Sequence, residues 1–376
     1  MNWVFFVRGQ ESFFVEYALA GRIAANERVF AVGPSVSFIR SPASISLRKR
    51  ISKPVDRGME VYYQPIHFPI RAPVLGLLGQ SLNSRLFRSE MQQLRADKPD
   101  VLCVRGPEQH SLIGSLRESL SVYYATDDFT VNLSGRPIPG EIEMERRLLE
   151  KVDRVVCITE DLAKRLSESV PRGKRPSFHI MPNFYDERRF NTEIDRSEPE
   201  GLRRIPQPRI LLAGHISDRI DWGGLLAASR LRPDWSWVFL GRKADAFMEE
   251  RIRQLGKKAF LCPKVPSEEV PAWMQYADAC AIPYCLNSFT LASNPVKALE
   301  YLAMGAPVLS TRIPSLSRFD KAIYWVEEGN AESYAAALDI IMADSGKQEL
   351  KAFRQQTVAQ DRLQVRAQQF VSILGA

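Results

Sequence analysis

Short, uniformly apolar runs recur along this chain, separated by stretches whose apolar positions follow a helical period. Trp3–Val7, Arg28–Val32, Glu60–Tyr63, Val101–Val104, Val122–Ala125 and Val155–Ile158 predict strands. Phe13–Ala25, Leu86–Asp97, Gln109–Ser119, Glu141–Val152 and Glu160–Ser169 predict the helices between them. Continuous apolar strands that alternate with helices indicate a mostly parallel sheet covered on both faces. Arg40–Lys53 is basic and weakly periodic and reads as a loop. Ile70–Phe87 is apolar, but proline and glycine interrupt it and no period assigns it to an element.

The same alternation restarts after the polar, charged Asp186–Arg204 stretch, which reads as an interdomain linker. Arg209–Ala213, Trp235–Leu240, Ala259–Cys262, Ala279–Tyr284, Val308–Ser310 and Tyr324–Val326 predict strands. Trp222–Arg230, Ala244–Leu255, Ser267–Tyr276 and Glu332–Ala343 predict helices, and a last one runs from about Leu350 to Leu374. The expectation is an α/β protein of two Rossmann-like, doubly wound domains, residues 1–190 and 205–349, facing across a cleft. A chain of 376 residues is long enough to bury two such cores. Open parallel sheets take ligands beyond the carboxyl ends of their strands. Gly214, Gly241, Pro283-Tyr284 and Asp127-Asp128 all fall at such ends.

Composition narrows the picture a little. An apolar fraction of 45% and a charged fraction of 25% suit an ordinary water-soluble globular protein. The first apolar run is too short for a signal-peptide core or a membrane span. The five cysteines form no C-x-x-C pair and read as reduced, buried small hydrophobes of a cytoplasmic protein. A net charge of +7 fits an anionic ligand, an anionic membrane surface or nucleic acid. Nucleic acid is disfavoured, because no aromatics interleave with the basic residues and no binding motif is present. Arg48-Lys49-Arg50, Arg105, Arg117 and Arg136 make either a solvated basic face or a patch that docks on the inner membrane leaflet. His67, His110, His179 and His215 lack metal spacing, and no Asp-x-Asp motif occurs, so no catalytic metal is expected. His110 reads as a histidine on a helix surface.

Ser293–Thr311 is the most informative segment. It reads as a short helix with both ends marked, followed directly by a buried strand. Asn294 suits the cap and Pro295 the first helical position, where a missing N–H costs nothing. Gly305 supplies the left-handed stop, and Pro307-Val308-Leu309 begins an extended run. Val296, Leu299, Leu302 and Ala303 share one face; Lys297, Glu300 and Met304 share the other. A lysine and a carboxylate near a helix start suit a ligand with phosphates and sugar hydroxyls.

The segment resembles the nucleotide-sugar-binding helix of GT-B-fold Leloir glycosyltransferases that build bacterial polysaccharides, exopolysaccharides and teichuronic acid among them. The shared pattern is P-x-K-x-x-E-Y-L-A-x-G-x-P-V-[VL]-S-T. The resemblance implies that Glu300 holds the ribose hydroxyls of a donor nucleotide. Retaining members carry another glutamate eight positions earlier, where this chain has Ala292. The likeness extends over Val155–Thr311, including Met181-Pro182-Asn183-Phe184, where Phe184 stands in place of a glycine. It further implies that the final helix, residues 350–376, packs back on the first domain.

Other candidates gain meaning in that setting. Gly214-His215-Ile216-Ser217-Asp218-Arg219-Ile220-Asp221 resembles a family loop in which a basic residue contacts the donor diphosphate. Gly214 would let the backbone approach a phosphate, and Arg219 would grip it. The polar loop containing Asn287, Thr290, Ser293 and Asn294 would face the donor sugar and diphosphate. Asp127 and Asp128 end a buried strand in the acceptor half, and one of them would serve as base or acceptor guide. Adjacent side chains on extended backbone point apart, so a single member of the pair is expected to act.

The implied activity is sugar transfer from a nucleotide-diphosphate donor, of UDP or GDP type, to a glycan or lipid-linked acceptor. The sugar nucleotide would be a co-substrate, with no cofactor or metal, at a cytoplasmic or inner-leaflet site. Two alternatives stay open: an inactive GT-B-like scaffold subunit of a polysaccharide assembly complex, and a nucleotide-sugar epimerase.

Overall fold

The computed structural model describes residues 2–6, 28–33, 36–37, 51–52, 61–63, 66–67, 75–170, 173, 176–243 and 247–375. The expected helix Phe13–Ala25 and the Arg48-Lys49-Arg50 cluster lie outside these residues. The chain forms two units. The first comprises Met1–Asn132, Pro137–Pro182 and Leu363–Ala376; the second comprises Leu133–Arg136 and Asn183–Arg362.

In the first unit, β1 (Asn2–Phe6), β2 (Arg28–Val32), β4 (Ile51–Ser52), β5 (Val61–Tyr63), β7 (Val101–Val104), β8 (Leu120–Ala125), β9 (Arg154–Cys157) and β10 (Ser177–Ile180) build one sheet. Its order is β10-β9-β8-β7-β1-β2-β5-β4, parallel except for the β4–β5 pair. β3 (Val36–Ser37) and β6 (Ile66–His67) pair separately. The helices described here are α1 (Leu75–Gln93), α2 (Pro139–Leu149) and α3 (Glu160–Glu168). The apolar runs fill the core: Val4, Phe30, Leu102, Tyr123 and Val155 are each no more than 1% exposed.

The second unit has a sheet of β11 (Arg209–Ile216), β12 (Ser236–Lys243), β13 (Ala259–Cys262), β14 (Ala279–Ile282), β15 (Val308–Thr311) and β16 (Ile323–Val326). The order β13-β12-β11-β14-β15-β16 is wholly parallel. Its helices are α4 (Glu200–Arg203), α5 (Trp222–Leu231), α6 (Phe247–Gln254), α7 (Val270–Gln275), α8 (Ser288–Leu291), α9 (Val296–Ala303), α10 (Ala331–Ala343) and α11 (Gln348–Thr357). A final helix, α12 (Leu363–Leu374), returns to the first unit.

Several expectations need correction. Gln109–Ser119 is not a helix but a 3-10 turn at Pro107–Gln109 followed by further turns. Gly114 and Arg117 there take positive φ, which an α-helix excludes. His110 is consequently buried, with Nδ1 3.1 Å from the Pro107 carbonyl, and burial lowers its pKa. α1 begins at Leu75, well before the expected start, and runs through Gly76 and Gly79. β10 is a half-exposed edge strand between Pro176 and Pro182, without the apolar run that marks its neighbours. The stretch read as a linker packs on the second unit. There Phe190 is 5% exposed and Arg209 pairs with Glu198 at 2.5 Å.

The expected last helix is two helices. Between them Tyr185 N–H donates to the Asp361 carbonyl at 3.1 Å, and Tyr185 bridges Arg362 in parallel. Asp361 is fully buried and receives Arg318 at 2.8 Å. These contacts hold the chain out of helical conformation although no glycine or proline interrupts it.

Candidate nucleotide-sugar site

The second sheet has a point where its strand order reverses. β11 lies between β12, reached first, and β14, reached after the chain doubles back. Ligands of open α/β sheets sit beyond the carboxyl ends of the strands at such a point. β11 pairs with β12 along eight residues but with β14 only at Ile210 and Leu211. Past Leu211 the two strands part.

Glycine shapes the edge of this crevice. β11 continues past Gly214 to Ile216 instead of ending there, and β12 likewise passes Gly241. Gly214 and Gly241 stand opposite each other in register, with φ of 137° and 142°. A Cβ on Gly241 would lie 2.1 Å from the Gly214 carbonyl oxygen, so only glycine allows the approach. On the other side, a Cβ on Gly214 would meet Lys297 Cε at 3.9 Å. Lys297 therefore overhangs bare Gly214 backbone.

Lys297 and Glu300 come from α9. Its buried side is Ala298, Leu299, Tyr301, Leu302 and Ala303, which seats the helix on the sheet. Met304, expected on the open flank, is also buried, because the helix already turns away there. Pro295, not Asn294, occupies the cap. The Asn294 side chain instead accepts the Asn183 N–H at 3.0 Å, while Asn183 Nδ2 donates to the Asn294 carbonyl at 2.6 Å. At the other end Gly305, with φ 71°, closes the helix: Ala306 N–H reaches the Tyr301 carbonyl and Gly305 N–H that of Leu302. Lys297 Nζ contacts Glu300 Oε2 at 2.5 Å, with the two side chains 28% and 12% exposed.

Arg219 follows β11. Its guanidinium lies 4.1 Å from the Tyr284 ring centroid and Nη2 donates to the Tyr284 hydroxyl at 2.9 Å, while Nε is buried without a partner. Two backbone hydrogen bonds of 2.7 Å, Cys285 N to Arg219 O and Asp221 N to Pro283 O, zip the loops after β11 and β14 together. Asp221 caps α5 and accepts from Gly224 N, Gly329 N and the Tyr334 hydroxyl, so it is committed to the fold. Ser217 Oγ, which the sequence reading passed over, is buried without a partner beside these groups in the chain.

The polar loop after β14 is largely occupied with itself. Asn287 caps α8 through Thr290 N–H at 3.0 Å and donates Nδ2 to the Leu133 carbonyl at 3.1 Å. Ser293 Oγ donates to the Thr290 carbonyl at 2.7 Å. Thr290 Oγ1 is buried with no hydrogen-bond partner. Thus Gly214, Arg219, Lys297 and Glu300 gather at one sheet edge, while Asn287, Ser293 and Asn294 shape the loop leading to them. The sequence reading also missed Tyr301, whose buried hydroxyl accepts the Ala213 N–H at 2.9 Å. A buried tyrosine oxygen needs a hydrogen-bond partner, and that requirement was the available signal.

In the first unit the two aspartates separate. Asp127 is half-buried at the end of β8. Asp128 is buried: Oδ1 accepts from Thr130 N at 2.9 Å and from its hydroxyl at 2.5 Å, and Oδ2 pairs with Arg165 at 2.9 Å. Arg165 also forks onto Glu145 at 2.8 and 3.2 Å, and Tyr123 donates its hydroxyl to Glu145 at 3.2 Å. Burial pushes the Glu145 carboxyl above its ordinary range against the opposing pull of Arg165, and pushes the Tyr123 phenol well up. Asp128 is thereby tied into a structural network, whereas Asp127 is only half-buried. Arg105 Nη2 donates to Thr126 beside it at 3.1 Å. Among the described residues no cluster of three or more metal-ligating side chains forms.

Two doubly wound units of this kind define the GT-B fold of glycosyltransferases, and the comparisons agree. Residues 207–344, within the second unit, match the family model of glycosyl transferases group 1. Over 218 residues the chain is 28% identical to a putative teichuronic acid biosynthesis glycosyltransferase, TuaH, of Bacillus subtilis (strain 168). That stretch covers 56% of this chain and 53% of the relative, so the match spans about half of either protein. Sucrose-phosphate synthase from Thermosynechococcus elongatus superposes with a TM-score of 0.77 at 14% identity, over 99% of this chain and 98% of its own. An E. coli structure described as trehalose-6-phosphate bound with UDP-2-fluoro glucose gives 0.73 at 10% identity, over 100% and 99%. No helix among the described residues is long and apolar enough to cross a membrane.

Proposed function

We propose that this protein is a nucleotide-sugar-dependent hexosyltransferase acting in bacterial surface polysaccharide or exopolysaccharide synthesis, with a glycan or lipid-linked acceptor. One observation carries the reading. A lysine, paired with a glutamate one turn along the same helix, overhangs bare glycine backbone where the second sheet reverses its strand order. Glu300 is suited to accept two ribose hydroxyls, and Lys297, released from its ion pair, to meet the diphosphate. Arg219 and Lys297 would then stabilise the charge that grows on the leaving diphosphate, without a metal or cofactor. Asp127, in the first unit, would orient or deprotonate the acceptor hydroxyl. The name of the Bacillus relative supports the polysaccharide role, and the sugar nucleotide in the E. coli structure supports a UDP-type donor. A peripheral position on the inner leaflet would follow from a lipid-linked acceptor.

Thermal-shift measurements with UDP, GDP and their sugars test the reading, because a ligand of the native state raises its apparent stability. UDP or its sugars should raise Tm by several degrees at millimolar concentration. No shift with any of them would reject the assignment. Chromatography of the donor incubated alone separates transfer from epimerisation, since only an epimerase converts it without acceptor.

A further inference from the structure

We infer that Tyr301 is a positioning residue for the donor site, indexing α9 against the glycine strand through one hydrogen bond. The inference rests on the nucleotide-sugar reading above and adds what holds that site in register. Tyr301 is 1% exposed, adjacent to Glu300 and one helical turn from Lys297. Its hydroxyl accepts the backbone N–H of Ala213 at 2.9 Å, in the gap where β11 has parted from β14. Ala213 immediately precedes Gly214, over which Lys297 hangs. The hydroxyl thus bridges the residue before the phosphate-facing glycine and the helix that carries both proposed nucleotide contacts. Burial pushes the phenol's pKa well above its ordinary range, so the hydroxyl stays neutral.

Two further anchors leave this contact to set the spacing. The Asn183–Asn294 pair holds the chain just before α9, and Arg354 donates to the Gly305 carbonyl at 3.3 Å beyond its end. Neither touches the glycine strand. Among these three ties only the Tyr301 hydroxyl links α9 to β11. Without it, α9 keeps its end anchors and apolar seat but loses this tie to β11, and a buried Ala213 N–H loses its acceptor.

Tyr301→Phe keeps the ring and removes only the bridge. Titration calorimetry with UDP should show the dissociation constant rising about tenfold, and donor KM should rise similarly with kcat within about twofold. Leu302→Val, a comparable core loss on the same helix, should leave UDP affinity unchanged. Unchanged UDP affinity in Tyr301→Phe, or an equal loss in Leu302→Val, would overturn the inference. Hydrogen exchange on the wild-type protein decides the matter even should Tyr301→Phe misfold. UDP should slow exchange in residues 209–214 together with 296–303, and protection of α9 alone would count against the bridge. Failure of the wild type to bind UDP or GDP would instead reject the nucleotide-sugar reading itself.

Discussion

The carboxyl edges of the two sheets are built alike and used differently. In the first unit Asp128, Arg165, Glu145 and Tyr123 are bonded to one another in a buried set near that edge. In the second unit the edge presents bare glycine backbone, a half-buried Lys297–Glu300 pair, and Ser217 Oγ and Arg219 Nε without partners. Buried polar groups without partners cost stability, and under the proposed nucleotide-sugar reading a bound donor would supply partners for those at this edge. A carboxylate next to a candidate base is weak evidence of catalysis until its partners are known. Asp128 shows why.

The comparison can be broken most severely at Gly241. Gly241→Ala places a Cβ on the Gly214 carbonyl at a φ that L-residues avoid, and should destabilise the protein by about 4 kcal/mol. Denaturant unfolding would measure it, and a loss below about 1 kcal/mol would show that the glycine pair is not needed. Asp128→Ala should cost about 3 kcal/mol, since Arg165 loses one of two buried partners, yet leave UDP affinity within twofold. A variant of normal stability that has lost turnover would instead make Asp128 part of the chemistry.

Affinity sharpens the contrast further. Glu300→Ala should weaken UDP binding by about 2 kcal/mol, roughly thirtyfold, while Asp127→Ala changes it less than twofold and lowers turnover. Calorimetry and initial rates separate these outcomes; equal UDP affinity of wild type and Glu300→Ala would remove the central assignment.

The smallest effect is a pH dependence. Burial lowers the pKa of His110 below the ordinary 6.5. The unfolded chain then binds the proton first, so the neutral histidine's contribution is complete above pH 6.5 and lost as pH falls through the folded value. Tm should decline on acidification below pH 6.5, and less steeply in His110→Asn, which keeps a donor for the Pro107 carbonyl. Parallel profiles would mean that other groups carry the decline.

Much of this was legible before any coordinates. The apolar runs marked the principal parallel strands because those strands are buried on both faces, which leaves no polar period to confuse them. The helix of Lys297 and Glu300 was legible because Gly305 and Pro307 punctuate it. β10 was missed because an edge strand is half-exposed and shows no continuous apolar run. The break between α11 and α12 was missed because no residue there forbids a helix. The cap of α9 moved from Asn294 to Pro295 because Asn183, distant in sequence, claims the Asn294 side chain.

By itself the sequence determined the two α/β units, the punctuated helix and the residue types available for a phosphate-bearing ligand. These depend on local propensity and on which faces are apolar, and both act between near neighbours. Tertiary structure alone decided which polar groups are spent and which are kept: Asp128 on Arg165, Asn294 on Asn183, the Tyr301 hydroxyl on Ala213. Hydrogen bonds and ion pairs act only over a few ångströms, so pairings between residues far apart in the chain exist only once folding brings them together.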